Sequence, residues 1–79
     1  MLQLKIVSPE KTVYDGAAES VFVPGTLGQF EILTDHAPII STLENGELSF
    51  KTPEGVQSIE ILGGFISVKH NEVKVCVEI

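Results

Sequence analysis

Residues 73–79, VKVCVEI, place Val73, Val75, Val77 and Ile79 on one side of an extended chain and Lys74, Cys76 and Glu78 on the other. That period of two is the mark of a half-buried strand, because successive side chains of an extended backbone point to opposite faces. The same alternation opens the chain, with Leu2, Leu4 and Ile6 against Gln3 and Lys5. It recurs around Val21 and Val23, Phe30 and Ile32, Leu48 and Phe50, and Ile59 and Ile61. Turn-forming pairs separate these runs: Ser8-Pro9, Asp15-Gly16, Pro24-Gly25, Asn45-Gly46, Pro53-Glu54-Gly55, Gly63-Gly64 and His70-Asn71. No eleven-residue window carries a helical apolar stripe, and seven glycines with four prolines leave no room for a long helix. The expected fold is all-β: an antiparallel two-sheet sandwich, or flattened barrel, of about ten short strands. Residues 1–79 form one domain, since a chain this short buries only about 60% of its unfolded surface and supports one core.

Two details of the turns are specific. Asn45-Gly46 has the composition of a type I′ hairpin, with strands expected on both sides. The stretch 23–38, VPGTLGQFEILTDHAP, holds one short strand between two stiff corners. At the first, Pro24 presets φ and Gly25 is expected to supply the positive φ of a type II turn, with Gly28 marking a bulge or close backbone approach. Phe30 and Ile32 then face inward. At the second, Ala37 is held extended by Pro38, so residues 34–38 form a turn into the strand Ile39–Leu43.

Composition excludes several functions. The net charge of −6, from 11 acids against 5 bases, repels both a phosphate backbone and an anionic lipid surface. No run approaches the roughly 20 apolar residues of a spanning helix. The N-terminus has neither a basic n-region nor a continuous apolar h-region, and Cys76 has no second cysteine to pair with, so a cytosolic setting is expected. Asp35-His36 are neighbours whose side chains diverge, and Cys76 sits mid-strand among valines, so neither acid/base nor thiol catalysis is expected. His36 and His70 lack metal-ligand spacing, and Gly25-Thr26-Leu27-Gly28 lacks the lysine of a phosphate loop; no metal and no cofactor is expected.

The stretch 23–38 resembles the signature of the epsilon subunit of F-type ATP synthases (delta in mitochondria), of the form V-P-G-x-x-G-E-F-G-I-L-x-x-H-A-P. The likeness continues through IISTLENGEL and LGGFISVKHNEVKVCVE and begins at LKIVSPEKTVYDG, covering essentially the whole chain. Gln29 and Glu31 replace the family's Glu and Gly around the inward Phe, Thr34 replaces a frequent proline, and Ser67 stands where Glu is common. The resemblance implies a non-catalytic rotor subunit at the foot of the central stalk, docking the gamma subunit onto the membrane c-ring and helping transmit rotation for ATP synthesis. It implies gamma contacts at Ser8, His36 and Ser41, and c-ring contacts at Thr26, Leu27, Gln29 and Glu31. Peripheral attachment to the cytoplasmic face of the bacterial inner membrane, through the complex, follows from the same likeness. The family usually adds a C-terminal helical hairpin that restrains ATP hydrolysis; a chain ending at Ile79 is expected to lack that mode of inhibition. The alternative is a lipoyl-type carrier or other small all-β binding module, disfavoured because Lys69 lacks the flanking pattern of a modified lysine.

Overall fold

The computed structural model describes residues 1–79 and contains nine strands and no helix. They are β1 (Leu2–Val7), β2 (Thr12–Ala18), β3 (Ser20–Gly25), β4 (Gly28–Leu33), β5 (Ile39–Leu43), β6 (Gly46–Thr52), β7 (Gly55–Ile61), β8 (Gly63–Lys69) and β9 (Glu72–Glu78). The strand order is β2-β1-β9-β8-β5-β3-β6-β7, with β4 along the full length of β3 on the edge that β5 and β6 leave free. The path curls into two layers. One holds β2, β1, β9, β8 and β5; the other holds β4, β3, β6 and β7. They join where Gly25 of β3 pairs with Leu43 of β5, a single register position. At the opposite side the Tyr14 ring of β2 meets Phe50 of β6, with centroids 4.7 Å apart, and closes the layers by side-chain contact.

Alternation fills the space between. Leu2, Leu4 and Ile6 of β1 and Val73, Val75 and Val77 of β9 are all buried, and every other strand adds at least one member to the sixteen-residue core. The inner half of each strand is thus set by every second residue, while Lys5, Lys74, Glu72 and Glu78 stay outside. The one buried polar side chain, Thr52, donates from Oγ1 to the Gly55 carbonyl (3.0 Å) and accepts from the Glu54 N–H (3.1 Å).

The sheet departs from the expected pattern in four places. It is mixed, not wholly antiparallel, because β1 and β9 run parallel from Gln3↔Glu72 to Val7↔Cys76. These strands lie at opposite ends of the chain, so the whole domain serves as the long connection that parallel neighbours need. Asn45-Gly46 is no hairpin: β5 pairs with β8, β6 pairs with β3 and β7, and neither turn residue has a positive φ. The segment crosses between layers instead, and Gly46 lies against the Pro24 ring, where a Cβ would stand 3.0 Å from Pro24 Cβ. The tight hairpin with two left-handed residues is His70-Asn71, at φ 51° and 63°, joining β8 to β9. Finally, Pro24-Gly25 belong to β3, Thr26-Leu27 make the reversal, and Gly28 pairs in register with Gly25. The register shift lies at Ile6/Val7, and the close approach expected at Gly28 falls on Gly25 and Gly64.

At Gly64, φ is +154° and a Cβ would overlap the Cys76 carbonyl across the β8–β9 ladder. Gly64→Ala is expected to cost about 3 kcal/mol, which in a domain this small lowers Tm by roughly 12–24 °C. Asn45→Ala, at an exposed crossing with ordinary φ, is expected to stay within about 0.5 kcal/mol of wild type. Thermal unfolding followed by circular dichroism checks both; comparable losses in the two variants would mean that Asn45-Gly46 is a structural turn after all.

Candidate functional site

β4 is an edge strand, paired only with β3, and together with the two corners that flank it carries five of the seven residues singled out by the sequence. At the first corner, Gly25 faces Gly28 and leaves Thr26 and Leu27 as the loop, with Leu27 fully exposed. A Cβ on Gly25 would stand 2.7 Å from both the Gly28 carbonyl oxygen and the Phe30 ring, so only glycine lets that half-buried ring fold over the turn. The loop is tied to β5: the Thr26 N–H donates to the Thr42 carbonyl (3.1 Å), and the two threonine hydroxyls share a hydrogen bond (2.8 Å). Gln29 and Glu31 follow on the outward face of β4, opposite Pro24 and Phe22. Thr26, Leu27, Gln29 and Glu31 therefore form one continuous exposed edge.

At the second corner, Asp35 takes a left-handed φ of 65° and the His36 N–H closes the turn onto the Leu33 carbonyl (3.1 Å). The half-buried His36 ring places Nδ1 2.7 Å from the Ala37 carbonyl. The protonated Nδ1 of that contact leaves Nε2 as an acceptor.

Ser8, His36 and Ser41 do not form one patch. Ser8 sits in the β1–β2 turn, its N–H and hydroxyl both donating to the Lys11 carbonyl (2.8 and 3.2 Å), beyond the Val7↔Cys76 end of the parallel pair. His36 lies at the other end, beside the Asn71 turn that precedes β9, so roughly 20 Å of strand separates them. Ser41 is not at a turn tip. It is half-buried within β5, aligned with the inward Ile66, and its hydroxyl donates to the Thr42 carbonyl (3.2 Å).

Several exposed apolar residues escaped the sequence reading, two of them side by side on one face. Ile40 and Phe65 are 81% and 51% exposed, on the outer face of β5 and β8. Phe65 lies across from Cys76, itself beside Val7, and with Ser8 and Pro9 these line a groove of about 340 Å3. The signal at Ile40 was present, since Ile39-Ile40 breaks the alternation and one of the two must face out. The arrangement also separates the groups considered for catalysis. Asp35 is engaged by Asn71, the His36 ring by its own neighbour's carbonyl, and Cys76 lies toward the far end of β9 from His70.

What these features define is a small curled β-sandwich that offers corners and a strand edge as contact surface. Over residues 1–79 it matches the family described as "ATP synthase, Delta/Epsilon chain, beta-sandwich domain". Among its relatives is the ATP synthase epsilon chain of Prochloron didemni, 41% identical over 76 residues, covering 96% of this chain and 56% of the relative. Another is the epsilon chain of Leptospira borgpetersenii, 43% identical over 74 residues, covering 94% and 58%. The chain belongs to the ATP synthase delta/epsilon β-sandwich family, and it spans a little over half the length of these relatives. Its fold is also that of a chain in the Euglena gracilis mitochondrial ATP synthase (OSCP/F1/c-ring), with TM-score 0.89 at 18% identity, covering 96% of this chain and 49% of that one. A chain of the Tetrahymena thermophila central stalk/c-ring gives TM-score 0.83 at 14% identity, covering 99% and 63%.

The Thr26–Thr42 pair makes a direct prediction. Thr42→Val removes one hydroxyl of an exposed hydrogen bond and is expected to cost about 0.5–1 kcal/mol while speeding amide exchange at residues 26–28. Exchange measured by NMR checks this, and unchanged protection there would show that the hydroxyl pair does not hold the corner.

Proposed function

We propose that these 79 residues act as a non-catalytic rotor domain of an F-type ATP synthase, seated at the foot of the central stalk between the gamma subunit and the c-ring. The observation that carries this reading is the family match over every residue of the chain, together with relatives that are ATP synthase epsilon chains. The physical properties agree with it. Two corners held by glycine packing and hydrogen bonds lose little further entropy on docking, which suits a part that transmits rotation instead of yielding to it. The domain works by contact alone, and the chemistry of ATP synthesis belongs to other subunits.

In this reading the edge formed by Thr26, Leu27, Gln29 and Glu31 meets the polar loops of the c-ring. Exposed Leu27 supplies apolar contact and Glu31 a single negative charge. Ser8 and His36 meet gamma at the two ends of the β1-β9-β8-β5 layer and Ser41 meets it through the β5 strand that carries it, so gamma wraps a broad face and does not grip one spot. Ile40 and Phe65, exposed on the outer face of β5 and β8, add apolar area to the contact. The domain is thereby held at the cytoplasmic face of the bacterial inner membrane through its protein partners, which agrees with an acidic chain that lipid headgroups would repel.

Glu31→Lys and His36→Trp test both sides of the docking. Each substitution lies on an exposed or half-buried corner, so each is expected to leave Tm within a few degrees of wild type. Glu31→Lys is expected to reduce recovery with the c-ring, and His36→Trp recovery with gamma, by about tenfold or more. Full co-purification of both variants with gamma and the c-ring would contradict the assigned contacts.

A further inference from the structure

Asn71 is the point at which three otherwise separate parts of the chain meet. Its carbonyl accepts from the Gln3 N–H of β1 (2.8 Å). Its carboxamide reaches across 36 residues of sequence to Asp35, accepting from the Asp35 N–H at Oδ1 (2.6 Å) and donating from Nδ2 to Asp35 Oδ1 (3.0 Å). Both residues have left-handed backbone, at φ 65° and 63°. Glycine would meet that backbone requirement at either position. The complementary side chains add what glycine does not, a pair of bonds between the β4–β5 turn and the β8–β9 turn. Residues 34–38 belong to no strand, and apart from this pair their backbone is held by the His36 N–H bond to Leu33 and by the contact of the His36 ring with the Ala37 carbonyl. The two turns enclose a notch of about 380 Å3 lined by Asp35, His36, Pro38, His70 and Asn71.

We infer that Asn71 is a positioning residue for the His36 corner: its carboxamide, through Asp35, fixes residues 34–38 so that His36 presents one orientation to the partner that docks there. This rests on the proposed docking of gamma at His36. A corner ordered in advance adds no ordering cost on association, so the clasp contributes to affinity without touching the partner. It also makes the β8–β9 hairpin, remote from His36 in sequence, part of the docking surface.

The test uses Asn71→Gly and Asp35→Gly in the full chain, because glycine tolerates the left-handed backbone at both positions while removing the clasp. Binding to purified gamma is measured by titration calorimetry, with amide exchange followed at residues 34–38. Asn71→Gly is expected to speed exchange there about tenfold and to weaken gamma binding about 5- to 20-fold, with Tm close to wild type. Asp35→Gly/Asn71→Gly should bind no more weakly than either single variant, and His36→Ala/Asn71→Gly no more weakly than His36→Ala. An Asn71→Gly variant that binds as wild type does, or whose loss adds fully to that of His36→Ala, would overturn the positioning role. If wild type itself fails to bind gamma, the docking assignment falls; unchanged exchange at 34–38 in Asn71→Gly would overturn the clasp independently.

Discussion

The whole domain depends on burying one alternating set of apolar side chains between two layers that meet at both sides. Sixteen such residues come from all nine strands, and the densest contribution, Leu2, Leu4, Ile6, Val73, Val75 and Val77, comes from the first and last strands lying side by side. Large-to-small changes at such positions typically cost about 2–5 kcal/mol, a large fraction of what a domain of this size has in total. The parallel β1–β9 pair has a further consequence. The core is complete only when the last strand is in place, so the strands between are held from both ends of the chain, and the connections between them are left at the surface.

That arrangement decides where partners can touch. The inner faces are full, so only outer faces, edges and connections remain for contact. The two corners flanking β4 are each held in a way of their own. At Thr26-Leu27 a glycine lets an aromatic ring lie over the turn, and threonine bonds tether the loop to β5. At Asp35-His36 a side-chain clasp ties the turn to a neighbouring hairpin. The proposed role as a rotor part calls for this stiffness, since a compliant corner would absorb motion that is meant to pass through it.

Strands whose residues alternate cleanly were legible in the sequence, among them Leu2–Val7 and Glu72–Glu78, because a face buried on one side imprints its period directly. Thr12–Ala18 was not, as Asp15-Gly16 interrupts its pattern and much of the strand is only half-buried. Pairing was least legible. Asn45-Gly46 has the composition of a tight hairpin, yet β5 is taken up by β8 and β3, and Gly46 packs closely on the Pro24 ring instead of making a turn. The parallel neighbours at the two ends leave no local mark at all. Of the candidate site, proline and glycine announced both corners, but the reversing residues proved to be Thr26-Leu27, two positions further on than Pro24-Gly25. The Asp35–Asn71 pair could not have been found, since nothing local connects residues 36 positions apart.

The most direct test of the proposed role is single-particle electron microscopy of the intact ATP synthase purified from cells that make this polypeptide. That role predicts one copy at the base of the central stalk, with the Thr26-Leu27 hairpin turned toward the c-ring loops and the β1-β9-β8-β5 layer against gamma. A synthase whose stalk base holds no copy of this chain, or holds it with that hairpin pointing away from the ring, would contradict it.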